Sequence, residues 1–183
     1  MSRILPANPS LEHLKNQAKD LLRALQQGRP DAQLADAQHA IAREYGFASW
    51  PKLKAHVEKP SPFAGRWTAN VARSKRHPLN LFQSATMQFE VVGSTITIID
   101  IVIDESGREN RGTNTIQADG KEYSTDRQGY SVAARWAGPL TLEATAKQDG
   151  ALLGGVAYQL SPDEKTMTVA DASGAQLIVF ERN

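Results

Sequence analysis

The stretch Gly65-Arg66-Trp67-Thr68-Ala69-Asn70-Val71 marks a change of period in the chain, and the fold is read outward from it. Trp67, Ala69 and Val71 alternate with Arg66, Thr68 and Asn70, the two-residue period of a half-buried strand. The far end of the chain, Gln176 to Arg182, reads QLIVFER and has the character of a closing strand. A Trp in the first strand and an Arg leaving the last one supply what a β-barrel needs to plug one end.

The same period runs through the segment between them. Met87, Phe89 and Val91 alternate with Thr86, Gln88 and Glu90. Leu140, Leu142, Ala144 and Ala146 alternate with Thr141, Glu143, Thr145 and Lys147, and Val156, Tyr158, Leu160, Met167 and Val169 continue the pattern. Turn signals punctuate these runs at Gly93-Ser94, Ser106-Gly107, Asp119-Gly120, Asp149-Gly150, Pro162-Asp163 and Ser173-Gly174. The spacing predicts about eight to ten short strands in an antiparallel meander. Closure of the meander into a barrel would remove its exposed edges. In Ile96–Asp104 the apolar parity flips between Ile98 and Ile99, which predicts a β-bulge beside Asp100, or else burial of both faces.

Residues 1–60 read differently. Leu11, Leu14, Ala18, Leu21 and Leu25 recur at helical spacing, and Asn8-Pro9 or Ser10 is placed to cap that helix. Gly28-Arg29-Pro30 ends it. A second helix is predicted from about Asp31 to Tyr45, burying Leu34, Ala37, Ile41 and Tyr45. A third, capped by Ser49, carries Trp50, Leu53 and Val57 on one face. Pro60-Ser61-Pro62 reads as the linker. The predicted fold class is therefore α+β, mainly β: a small N-terminal three-helix segment over 1–60 and an antiparallel meander β-barrel over 61–183.

Composition narrows the function classes. The chain has 183 residues, no cysteine and a net charge of +1. Disulfides, thiolate metal sites and a cysteine nucleophile are excluded. The charge balance argues against a polyanion partner. The opening residues lack the apolar core of a secretory signal, and no apolar run has the length of a membrane span, so a cytoplasmic location with no membrane partner is expected.

From about residue 63 to 183 the chain resembles the bacterial lipocalin-like barrel domains of the calycin group, on the strength of Gly65-Arg66-Trp67, the hairpin meander and the closing strand ending in Arg182. The resemblance implies that Trp67 packs inside the barrel base and that Arg182 covers it. Residues 34–58, and most of all the run Ala42 to Trp50, resemble a short helical segment found at the start of many bacterial proteins, some of which carry ankyrin repeats. That second resemblance brings a domain label and no activity.

The barrel interior is the leading candidate site. Its expected inward positions mix small residues (Ala69, Ala134, Ala144, Ala146, Gly154) with the aromatics Phe89, Tyr130, Trp136 and Tyr158, a lining suited to an apolar molecule. Arg135, Asn114 and Tyr123 are candidates for polar contacts. The run Arg73-Ser74-Lys75-Arg76-His77 follows the first strand, and is either a solvated loop or a contact for an anionic head group. His13, His39, His56 and His77 fall in no metal-ligand spacing, and no catalytic motif or cofactor-binding motif appears. The sequence thus predicts a non-enzymatic protein binding a small apolar or amphipathic molecule, with no cofactor. Two alternatives stand beside it. One is an interaction module docking a protein partner or a second copy through the N-terminal helices. The other is a ligand-responsive DNA binder, since the second and third helices superficially resemble a helix-turn-helix, although Trp50 and Pro51 would crowd the base-reading positions.

Overall fold

The computed structural model describes Arg3, Leu5 and residues 9–77 and 81–183. The chain divides into two compact units, Met1–Pro60 and Ser61–Asn183. No helix among the described residues is long and apolar enough to cross a membrane.

The first unit holds three helices, α1 (Leu11–Gly28), α2 (Leu34–Glu44) and α3 (Trp50–Val57). Ser10 caps α1, its hydroxyl accepting from the His13 backbone N–H; the other expected cap, Asn8, lies outside the described residues. Helix α2 starts later than its periodicity predicted. Gln33 takes the cap position and its backbone N–H donates to the Asp36 carboxylate at 2.9 Å, so Asp31 and Ala32 stay in the preceding turn. Leu34, expected to be buried, becomes the first helical residue and is 40% exposed. Leu14, Ala18, Ile41, Ala42 and Leu53 form the buried core of this unit, with Leu21, Tyr45, Phe47, Trp50 and Val57 packed partly against it. The core is thin because alanine supplies two of its five buried members.

The second unit is a ten-stranded antiparallel meander. Its strands are β1 (Gly65–Ala69), β2 (Phe82–Val92), β3 (Thr95–Asp104), β4 (Glu109–Gln117) and β5 (Asp119–Ser124). They continue as β6 (Tyr130–Gly138), β7 (Thr141–Gln148), β8 (Ala151–Leu160), β9 (Thr166–Asp171) and β10 (Leu177–Arg182). Val71 falls outside β1, in a 3-10 turn over Val71–Arg73. The sheet order is β4-β3-β2-β1-β10-β9-β8-β7-β6-β5, so the last strand pairs with the first.

Closure is incomplete. β4 and β5 are the two ends of the sheet order, and no ladder joins them. The cause lies at Asp119-Gly120, which is not the hairpin tip its composition suggested. Gly120 has φ +82°, and the β5–β6 register slips between Asp119 and Glu122, which makes this a bulge inside β5. The bulged strand follows β6 and leaves β4 unpaired on that side.

The bulge expected in β3 does not exist. Its pairing with β4 runs without interruption from Thr95↔Gln117 to Ile103↔Glu109. Ile96, Ile98 and Asp100 therefore share the inner face, and Ile99, Ile101 and Ile103 the outer one. The apparent flip in parity is a carboxylate turned into the barrel beside a row of isoleucines on its outside.

The floor of the barrel is densely filled. Phe63, Trp67, Phe89, Ile96, Leu142 and Met167 are its largest fully buried side chains. Trp67 and Arg182 are direct cross-strand partners, and the Arg182 guanidinium lies 4.2 Å from the centre of the Trp67 ring. The indole Nε1 donates to the Phe63 carbonyl at 2.9 Å. Arg182 donates to the carbonyls of Glu164 (2.9 Å), Ala64 (3.0 Å) and Pro62. One guanidinium thus joins the β8–β9 turn to the segment that leads into β1, and Pro62 belongs to the floor. Removing this fork strands three carbonyls and uncovers the indole. Arg182→Ala is expected to lower unfolding free energy in a urea titration by about 2 kcal/mol. Arg182→Lys should recover only a minor part of it, since an ammonium cannot reach three carbonyls in one plane; full recovery by lysine would mean that charge alone is what matters.

Candidate ligand cavity

Above the aromatic floor the interior changes character. Ala144 and Ala146 on β7 and Gly154 on β8 face inward from paired positions, Ala146 directly opposite Gly154. A methyl group placed on Gly154 would meet no atom within 4 Å. Strand alternation turns these small side chains inward, and they do not fill the space they face. The result is a cavity of about 280 Å³. Met87, Ile98, Ile116, Val132 and Val156 provide the rest of its apolar wall.

The polar residues lining this space are Asp100 from β3, Asn114 from β4, Thr145 from β7 and Tyr158 from β8. Asp100 stands directly across the ladder from Gly112, and a Cβ on Gly112 would come within 2.7 Å of both carboxylate oxygens. The glycine is what makes room for the carboxylate. Burial, and secondly the negative charge of Asp100, push the Tyr158 phenol up to about 12. Among the described residues no lysine, arginine or histidine lines the cavity.

A second space of about 490 Å³ lies in the slot between β4 and β5 and shares Asn114, Ile116 and Val132 with the first. Tyr123 and Asp126 stand on its β5 side. The Tyr123 hydroxyl donates to Asp119 at 2.8 Å, and that bond raises its phenol above the usual value. Asp119 is held below the ordinary carboxylate range, first by the Lys121 backbone N–H and then by Tyr123. These bonds brace the bulge that opens the slot.

The structure distributes the candidate residues unequally. Tyr158 lines the cavity, and Phe89 lies beneath it with its ring edge-on to Tyr158 at 5.6 Å. Trp136 is part of the floor, 5.2 Å from the Phe63 ring, and its indole Nε1 is buried with no hydrogen-bond partner among the described residues. Tyr130 sits nearer the other end, its hydroxyl donating to Gln148 at 2.9 Å and the Arg127 guanidinium 3.9 Å above its ring. Arg135 alternates with the inward Ala134 and Trp136, so it faces out and pairs with Glu143 at 2.6 Å. Of the basic run, Arg73 pairs with Glu181 at 3.2 Å and Lys75 donates to the Gly174 carbonyl at 3.1 Å. Arg76 donates to the Phe82 carbonyl at 2.7 Å, so these three cations tie the connection to the barrel wall. Asp100 is the residue that sequence reasoning left unplaced; the signal was the isoleucine row on either side of it. No group of three or more His, Cys, Asp or Glu among the described residues is arranged to hold a metal ion.

A family model described as "Glyoxalase superfamily protein" matches residues 4–115, more than half of the chain, and the chain belongs to that family. The match runs through the helical unit and into β4. The family model that matches is not the lipocalin-like one that the barrel sequence resembled, and the meander barrel which that resemblance implied is present in the structure. None of the curated proteins matches the sequence. Among solved structures, the fatty acid binding protein of Schistosoma mansoni in complex with arachidonic acid is 14% identical with a TM-score of 0.48, over 67% of this chain and 97% of that one. The wild-type fluorescent protein UnaG is 14% identical with a TM-score of 0.46, over 66% of this chain and 97% of that one. The secretory abundant heat soluble protein 4 of Ramazzottius varieornatus is 13% identical with a TM-score of 0.46, over 67% and 96%. At these identities and scores the likeness says nothing about a ligand.

The raised phenol gives a direct readout of the cavity's environment. A tyrosinate absorbance titration should contain one phenol ionising at about 12, and Tyr158→Phe should remove it. Because the proton is held more tightly in the folded state, the stability tied to Tyr158 is intact below the ordinary value of 10.0 and is lost as pH rises toward about 12. Tyr158→Phe should flatten that alkaline loss. A titration unchanged by the substitution would place Tyr158 in water.

Proposed function

We propose that this member of the Glyoxalase superfamily protein family binds a small apolar or amphipathic molecule inside its barrel and does not turn it over. The observation that carries the reading is the unfilled space beside Gly154. Protein interiors are packed to the density of organic crystals, and a void of several methyl groups costs stability at each wall atom that lacks a neighbour. A wall of alanine and glycine facing isoleucine, valine and methionine keeps such a void open where larger side chains would have closed it. Its volume, with the adjoining slot, suits a molecule of roughly ten to twenty heavy atoms.

The direction of access follows from the missing ladder. The β4–β5 slot shares three residues with the cavity, so a molecule can pass between those strands without breaking a backbone hydrogen bond. The family description carries the name of an enzyme superfamily, so binding has to be separated from turnover in the same experiment. A bound molecule recovered unchanged supports the binding reading; recovery as a product assigns the cavity to catalysis.

Ala146→Leu places a larger side chain into the space opposite Gly154. It is expected to lower the affinity for a neutral aromatic probe such as 1-naphthalenemethanol by at least roughly tenfold. The thermal midpoint should not fall, since the added atoms enter a void and not a packed core. Unchanged probe binding in a folded Ala146→Leu protein would move the site out of the barrel.

A further inference from the structure

The polar groups of the cavity are unusual in their sign. Among the described residues Asp100 is its one carboxylate, Asn114, Thr145 and Tyr158 are neutral, and no cationic side chain is present in the lining. The adjoining slot adds Asp126 and, among the described residues, again no lysine, arginine or histidine. The Asp100 carboxylate accepts no hydrogen bond and forms no ion pair among the described residues. It is also held in place. Gly112 leaves the space its oxygens occupy, and the uninterrupted β3–β4 ladder fixes the inward direction of its side chain.

Asp100 is half-buried in the wall of an otherwise apolar pocket, where a cation would gain a charge-assisted hydrogen bond and an anion would meet like charge. Among the described residues no cation lines the cavity or the slot. The basic run after β1, the nearest sequence candidate for an anion contact, spends Arg73, Lys75 and Arg76 on Glu181, the Gly174 carbonyl and the Phe82 carbonyl. An anionic head group entering the cavity would face Asp100 with no counter-charge. A cationic one would supply the missing partner, with the Asn114 carbonyl and the Tyr158 hydroxyl available as further acceptors.

We infer that the molecule bound in the barrel is an amphipathic amine: an apolar body seated against Ile98, Ile116 and Val132 and a protonated nitrogen on Asp100. The inference rests on the reading of the barrel as a binding site and adds to it the charge of the ligand. The geometry excludes the carboxylate-headed amphiphile as the preferred occupant. The cavity selects by sign at one residue, while the apolar wall accepts any body that fits.

The test compares three probes that share one body: 1-naphthylmethylamine, 1-naphthalenemethanol and 1-naphthoate. Each is titrated into the full chain at pH 7 by calorimetry, with Asp100→Asn as the variant. The amine is expected to bind at least roughly tenfold more tightly than the naphthoate. Asp100→Asn should erase most of that preference, weakening the amine by far more than the neutral alcohol, which should still bind. Circular dichroism and alcohol binding establish that the variant is folded with its cavity intact. Naphthoate binding as tightly as the amine, or an amine affinity indifferent to Asp100→Asn, overturns the inference while leaving the binding site standing. Failure of all three probes to bind wild-type protein overturns both. Should Asp100→Asn not fold, Gly112→Ala, which displaces the carboxylate without removing it, takes its place and should weaken the amine selectively; an undiminished amine affinity in it overturns the inference.

Discussion

The rest of the barrel depends on one guanidinium over one indole. Trp67 and Arg182 meet at the seam where the first strand pairs with the last, and the seam turns a ten-stranded ribbon into an enclosure. Arg182 also collects carbonyls from the β8–β9 turn and from the approach to β1, groups with no ladder partner of their own. With the floor fixed in this way, the aromatic cluster of Phe63, Phe89 and Trp136 packs on a rigid base. The space above it can then remain open without the strands collapsing inward.

The opposite side of the barrel is organised by absence of pairing. The Gly120 bulge sends β5 along β6 and leaves β4 with a free edge, and the Asp119–Tyr123 bond holds that geometry. Sheet edges invite pairing with other chains. Here the β5 edge is short and all of its residues are exposed and mostly polar, which blunts that tendency. Floor and slot thus divide the labour: one end gives the barrel its stability, and the unpaired side gives the interior a route to solvent.

Much of this architecture was legible in the chain. The two-residue period from Trp67 onward, the turn dipeptides and the pairing of an early Trp with a late Arg were enough for the meander and its floor. Three features were not. Asp119-Gly120 has the composition of a hairpin tip, and only the partner strand decides that it is a bulge. In Ile96–Ile103 side chains of equal hydropathy occupy both faces, so period alone cannot say which way Asp100 points. Leu34 belongs to a helical stripe by spacing but falls on the first turn, where the Gln33–Asp36 cap sets the start of the helix. Among the cavity residues, Tyr158, Ala144, Ala146 and Gly154 followed from strand parity. Arg135 had the wrong parity for an inward contact, and the uncertain register around β5 hid this.

Nuclear Overhauser effects between a bound aromatic probe and the methyl groups of the chain test the central claim most directly, because they locate the ligand atom by atom. Binding inside the barrel predicts contacts from the naphthalene protons to the methyls of Ile98, Ile116, Val132 and Ala144, all of which face the cavity. Contacts confined to Leu152 and Leu153, the exposed leucines at the start of β8, would place the probe on the outer surface and contradict the account.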